Sequence, residues 1–203
     1  MKLNDRQLCD LEMILNGGFN PLQGFMNSKD YLSVLNNCKL EDGTIWPIPI
    51  TLSISKKENI KINQKITLTD KNNIKIAFIH VEEIYTPDID LECLKTLATN
   101  DPNHPYVNYL KNLGDVYYIG GKVEKIEGIK HYDFLDYRLT PKKLKNITKS
   151  YDRILGFQTR NPMHNCHYYL TLNSLDKINT DNKILTLMPV VGITQNNDVD
   201  YSV

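Results

Sequence analysis

The first half of the chain alternates between helical and two-residue periods. Leu8, Leu11, Met13, Ile14 and Leu15 predict a short helix over Asp5–Leu15, which Gly17-Gly18 brings to an end. Residues 19–26 are rich in turn formers, with Phe19, Leu22 and Phe25 as expected core anchors. Residues 28–35 predict a second helix, with Ser28 as cap and Tyr31, Leu32, Val34 and Leu35 inward. From Ile45 the period falls to two. Ile48, Ile50, Leu52 and Ile54 alternate with smaller or polar residues, as a half-buried strand should. Pro47 and Pro49 place the start of that strand at an edge or bulge. Residues 65–70 and 74–84 are the next strands, joined by the turn chemistry of Asp70-Lys71-Asn72-Asn73. Residues 89–99 and 106–113 read as helices, separated by Asp101-Pro102-Asn103-His104-Pro105. Residues 116–126 close the series as a strand with a bulge or corner at Gly120-Gly121. Short strands separated by turn signals predict a small barrel.

The pattern changes character at Tyr137-Arg138-Leu139-Thr140-Pro141, the predicted domain boundary. Thr140 caps and Pro141 opens a helix with Leu144 and Ile147 inward, while Lys142, Lys143, Lys145 and Lys149 read as its solvated face. The apolar run Ile154-Leu155-Gly156-Phe157 then turns polar at Gln158-Thr159-Arg160. Asn161 is a suitable N-cap and Pro162 a suitable first residue for a helix running to Leu172. After the turn Asn179-Thr180-Asp181-Asn182, residues 184–191 read as a buried parallel strand. Strand, helix and strand form one βαβ unit with a right-handed crossover. Both strands should be apolar on two faces and need neighbours. Ligands of such folds bind beyond the carboxyl ends of the strands, where Gln158 to Asn161 lie.

Composition narrows the function. A length of 203 residues allows one or two domains with a sizeable core, and a net charge of +0 argues against a dedicated nucleic-acid binder. No apolar run is long enough to span a membrane, and the N-terminus lacks the apolar centre of a signal peptide. Cys9, Cys38, Cys93 and Cys166 are scattered without a CxxC pair, which favours reduced thiols in a cytoplasmic protein. His80, His104 and His131 share no ligand spacing and read as structural or surface residues.

The chemistry concentrates at the strand-to-helix turn. A helix start offers unpaired N–H groups and the positive end of a dipole to an anion. His164 and His167, at i and i+3, lie on one face of its first two turns. The planar fork of Arg160 fits phosphate or sulfate. One guanidinium, two imidazoles and an amide therefore converge on a space suited to oxyanions. Two His on one face also fit a metal, but no acidic residue accompanies them in the turn and Cys166 faces elsewhere.

Gln158-Thr159-Arg160-Asn161-Pro162-Met163-His164, followed by His167, resembles the first phosphate-binding motif of the ATP sulfurylase (sulfate adenylyltransferase) family. The run from Leu15 to Met26, LNGGFNPLQGFM, is similar to that family's N-terminal signature, as are Trp46-Pro47-Ile48-Pro49-Ile50-Thr51-Leu52 and His131-Tyr132-Asp133-Phe134. The resemblance implies an α+β and then α/β chain. Residues 1–138 would be a PUA-like β-barrel domain, and residues 139–203 the incomplete start of a Rossmann-like nucleotidyltransferase domain. It implies a cytoplasmic transferase of sulfate assimilation, a homo-oligomer without nucleic-acid or membrane partners, that converts ATP and sulfate to adenylyl sulfate and pyrophosphate. Gln158 and Arg160 would hold sulfate, and Gln158, Thr159, Arg160 and Asn161 would line the ATP phosphates. Thr159, Arg160 and Asn161 would stand at the reacting centre, with His164 and His167 stabilising charge on the phosphates. Mg²⁺ would arrive with ATP, and no protein ligand for it is visible.

The sequence also departs from the family pattern. Asn165, Cys166 and Tyr168 stand where the family has Arg, Ala and Glu around the second His, and the family's later Gly-Arg-Asp-His segment does not occur. A fragment, one piece of a split enzyme, and a non-catalytic copy acting as a binding or scaffold subunit all fit. An ending inside a predicted domain favours truncation.

Overall fold

The structure is a computed structural model that describes residues 1–55, 58–191 and 198–201. The chain divides into two compact units, Met1–Thr140 and Pro141–Val203.

In the first unit, helices begin where a side chain reaches back to a free N–H. Asn4 caps α1 (Asp5–Leu15): its Oδ1 accepts from the Gln7 N–H at 2.8 Å, while Gln7 Oε1 accepts from the Asn4 N–H at 3.1 Å. The cap of α2 (Ser28–Asn37) is Asn27 rather than Ser28, because Asn27 Oδ1 takes the Asp30 N–H at 2.9 Å. Ser28 instead donates its hydroxyl to Glu83 at 2.6 Å. The buried stripe of α2 is Tyr31, Val34 and Leu35; Leu32, expected inward, is 46% exposed.

The strands are β1 (Gly24–Phe25), β2 (Leu52–Ser55), β3 (Lys65–Thr69), β4 (Lys75–His80), β5 (Glu83–Tyr85) and β6 (Val116–Lys125). Asp70 Oδ1 accepts from the N–H groups of Asn72 and Ile74, which closes the β3–β4 hairpin. All other pairings run through β6. Its first half lies between β2 and β5, with Leu52 and Ile84 both opposite Ile119. Its second half pairs Gly24 of β1 with Lys122 and Ala77 of β4 with Lys125. The partners change at Gly120-Gly121, the expected corner. A Cβ on Gly121 would lie 2.0 Å from the His80 carbonyl oxygen, and one on Gly24 1.9 Å from the Gly121 carbonyl oxygen. The single strand expected over 74–84 is broken at the same corner into β4 and β5. Val81 turns to donate to the Gln64 carbonyl at 2.9 Å.

The barrel expectation is corrected. The six strands form an open sheet in which β3 is an edge strand, and its free edge is met by the N-terminal segment: the Met1 amino group donates to the Thr67 carbonyl at 2.6 Å and the Leu3 N–H to the Thr69 carbonyl at 2.9 Å. β1 has two residues, and the strand expected from Ile48 shrinks to Leu52–Ser55. Pro47 and Pro49 lack the N–H that a ladder needs, and Ile48 is 43% exposed. The core is built around Leu11, Leu52, Leu68, Ile79 and Ile119. α3 (Ile89–Leu97) and α4 (Pro105–Lys111) add a smaller cluster of Cys93, Val107 and Leu110. The Tyr31 and Tyr118 hydroxyls each donate to Glu92 Oε2 at 3.0 Å, deep inside the unit.

The second unit comprises α5 (Pro141–Thr148), β7 (Arg153–Thr159), α6 (Asn165–Asp176) and β8 (Lys183–Pro189). β7 and β8 are parallel and in register from Arg153 opposite Lys183 to Thr159 opposite Pro189. The strands are not buried as expected: Ile154 is 51% and Leu187 50% exposed. Two strands packed against one helix leave apolar surface that a wider sheet and a second layer would cover. Ile147, expected inward on α5, is likewise 50% exposed. Among the described residues, no helix is long and apolar enough to cross a membrane.

Candidate functional site

The site begins where β7 leaves its ladder. The last bond of the β8 side runs from the Val190 N–H to the Thr159 carbonyl at 2.9 Å. The Thr159 hydroxyl then donates to the Asn161 carbonyl at 2.6 Å and accepts from the Asn161 N–H at 3.3 Å. Threonine thus folds the turn onto itself and carries Arg160 at its tip.

The helix does not start at Asn161-Pro162. It starts at Asn165, and His164 is the cap, its Nδ1 accepting from the Cys166 N–H at 3.2 Å. Asn161 is unavailable as a cap because its amide is held elsewhere. Its Nδ2 donates to Asp198 Oδ1 at 3.1 Å, and its Oδ1 accepts from the Val199 N–H at 2.8 Å. Since Nδ1 of His164 accepts, a neutral ring there carries its proton on Nε2. The later start still brings the two histidines together. The His164 and His167 rings lie 3.9 Å apart between centroids, with Phe157 5.5 Å from His167 on the strand side. His167 Nδ1 is buried and makes no hydrogen bond within the described residues.

Phe157, Gln158, Thr159, Arg160, Asn161 and His167 line a cavity of about 290 Å³. Five predicted site residues therefore share one space, and His164 adjoins it through the ring of His167. The Arg160 guanidinium stands 3.7 Å from Asp198, and its side chain is 48% exposed. Guanidinium, imidazole and amide donors suit an oxyanion, which needs several donors and no acceptor. Among the described residues, no three His, Cys, Asp or Glu side chains gather as a metal site. The first unit has a cavity of about 320 Å³, but Asp30, Glu41, Asp42 and Glu82 outnumber Lys122 in its lining, which disfavours anions.

Asp198 is the residue that sequence reasoning missed. Parallel neighbours end side by side, so the loop after β8 must reach the loop after β7, and its acidic residue was the available signal.

Comparison with known proteins places both segments of the chain among known families. A family model described as PUA-like domain matches residues 1–128, and one described as ATP-sulfurylase matches residues 135–203. Sulfate adenylyltransferase of Saccharomyces cerevisiae is 43% identical over 98% of this chain and 39% of its own length. The Schizosaccharomyces pombe sulfate adenylyltransferase is 42% identical over 98% of this chain and 41% of its own. A solved structure, the hexameric APS kinase from Thiobacillus denitrificans, superposes with a TM-score of 0.74 at 25% identity, over 98% of this chain and 35% of that one. The chain thus spans about 40% of the length of these curated relatives. With a PUA-like domain followed by an ATP-sulfurylase segment along nearly its whole length, the chain belongs to the ATP-sulfurylase family.

Proposed function

We propose that the β7–α6 turn is the oxyanion end of a sulfate adenylyltransferase site, acting on ATP and sulfate to give adenylyl sulfate and pyrophosphate. The observation that carries this reading is the gathering of Gln158, Arg160 and His167 round one cavity at a strand end, with the His164 ring 3.9 Å from that of His167. Sulfate is already ionised and needs no general base. The work left to the protein is to bring two anions together and to neutralise charge as the α-phosphorus is attacked. Gln158 and Arg160 hold sulfate. The donors from Gln158 to Asn161 line the phosphates, with Thr159, Arg160 and Asn161 at the reacting centre. His164 and His167 offer N–H groups to the transferring and leaving phosphates. The donors at the turn are of the wrong sign for a cation, so Mg²⁺ would be held mainly by the nucleotide's own phosphates.

The homo-oligomer expectation belongs to this reading, since the solved neighbour is titled hexameric. Cytoplasmic sulfate assimilation belongs to it as well: the four cysteines are free, as a reducing compartment keeps them. A second reading, a binding or scaffold subunit of a split or non-catalytic type, is favoured by the exposed apolar residues Ile154, Leu187 and Met188.

Calorimetric titration with Mg-ATP and with sulfate tests the shared premise. Wild-type chain is expected to bind both, and Arg160→Ala to bind each about tenfold more weakly, as loss of a charged hydrogen-bond donor implies. Absence of binding by the wild type sinks the oxyanion reading. Sulfate-dependent pyrophosphate release then separates the two readings: turnover selects the enzyme, and binding without turnover selects the subunit.

A further inference from the structure

Asp198 lies far from the turn in sequence, yet it meets two of the turn's residues at once. Its side chain is only 8% exposed. One carboxylate oxygen accepts from Asn161 Nδ2 at 3.1 Å, and the other stands 3.7 Å from Arg160 Nη1. The next residue adds its backbone, with the Val199 N–H donating to Asn161 Oδ1 at 2.8 Å. Both ends of the Asn161 amide are therefore held from the β8 side. Its carbonyl is held from the other side by the Thr159 hydroxyl at 2.6 Å. Asn161 is fixed in main chain and side chain together, and Arg160 precedes it directly.

We infer that Asp198 is a positioning residue: it locks Asn161 and so sets the direction in which Arg160 presents its guanidinium to the cavity. This rests on reading the turn as an oxyanion site. Magnitudes favour locking over simple charge pairing. A half-exposed guanidinium at 3.7 Å gains little from its partner. A hydrogen bond to a buried carboxylate is among the stronger kind. The carboxylate also lowers the net positive charge at the turn, so its retention there opposes raw anion affinity. Geometry, not charge, is what it contributes. Asp198 does not touch the cavity, so its role is to position and not to catalyse.

The test uses the full 203-residue chain, ¹⁵N-labelled, as wild type, Asp198→Ala and Asp198→Asn. Asn161 side-chain amide resonances report the lock without any ligand. In wild type one Nδ2 proton is expected to be shifted downfield by the carboxylate. Asp198→Ala abolishes that shift, and Asp198→Asn keeps part of it because an amide oxygen still accepts. Calorimetry with sulfate and with Mg-ATP reads the consequence. Asp198→Ala is expected to weaken binding about tenfold, and Asp198→Asn to recover it to within about threefold. An Asn161 resonance unmoved by Asp198→Ala overturns the inference. So does equal or tighter anion binding by both variants, which would make Asp198 a competitor for Arg160. If Asp198→Ala fails to fold, the Asn variant carries the same decision: tighter binding than wild type overturns locking, and near-wild-type binding with a retained shift upholds it. Should the wild type show the Asn161 shift and bind neither anion, the oxyanion reading fails and the lock stands.

Discussion

At the scale of single residues, Glu92 makes the sharpest pH statement. It is fully buried, both tyrosine hydroxyls donate to one of its oxygens, and the other oxygen has no partner in the described residues. Burial pushes its carboxyl above the ordinary glutamate range, against the opposing pull of the Tyr31 and Tyr118 hydrogen bonds and the Arg6 charge. The folded chain therefore keeps this proton to higher pH than the unfolded chain does. The stability it contributes is whole below the unfolded glutamate value and is lost as pH rises through the raised one. Urea unfolding from about pH 5 to about pH 8 is expected to show wild type losing stability relative to Glu92→Gln, whose amide keeps an acceptor for the tyrosines. Parallel pH profiles for the two proteins would refute this. The gathering of side chains at the turn was legible at this scale where residue type alone indicated it, as with Arg160 and the histidine pair. What competed for Asn161 was not legible. Its assignment as a cap assumed a side chain with nothing better to bind, and Asp198 and Val199 supplied something better.

Among the elements, caps and glycines set the boundaries. Asn27→Ala removes the side chain that takes the Asp30 N–H and is expected to cost about 1 kcal/mol in chemical denaturation. Ser28→Ala acts instead through the lost Glu83 bond, so its effect should depend on Glu83 while that of Asn27→Ala should not. A double-mutant cycle with Glu83→Ala separates them: additive for Asn27, non-additive for Ser28. Gly121→Ala would drive a methyl group into the His80 carbonyl and should destabilise far more than the cap change, read by the same unfolding curve. The sequence carried the hairpin at Asp70-Lys71-Asn72-Asn73 and the corner at Gly120-Gly121 because turn residues encode them locally. It did not carry the break between β4 and β5. That break comes from the close approach of a distant strand, and no glycine or proline within residues 74–84 marks it.

Across whole units, surface is the informative quantity. Ile154, Leu187 and Met188 on the sheet, with Tyr168, Tyr169 and Leu170 on α6, leave apolar residues exposed on a small fold. Fluorescence of an apolar dye such as ANS is expected to rise on adding the chain, and Leu187→Lys with Ile154→Lys to lower it. No change in those variants would place the dye elsewhere. The sequence foretold strands in want of neighbours, but not how much of each would be bare, since that depends on which layers are present. In the first unit, β6 has a consequence for the order in which the protein comes into being. Among the described residues, β1, β2 and β5 have no strand partner but β6, and only the β3–β4 hairpin is complete without it. A ribosome releases these strands in sequence, so three of them emerge before the one they pair with. Until residues 116–125 leave the exit tunnel, their edges stay open to other chains, and a pause in translation just before that point is the moment of greatest exposure to aggregation.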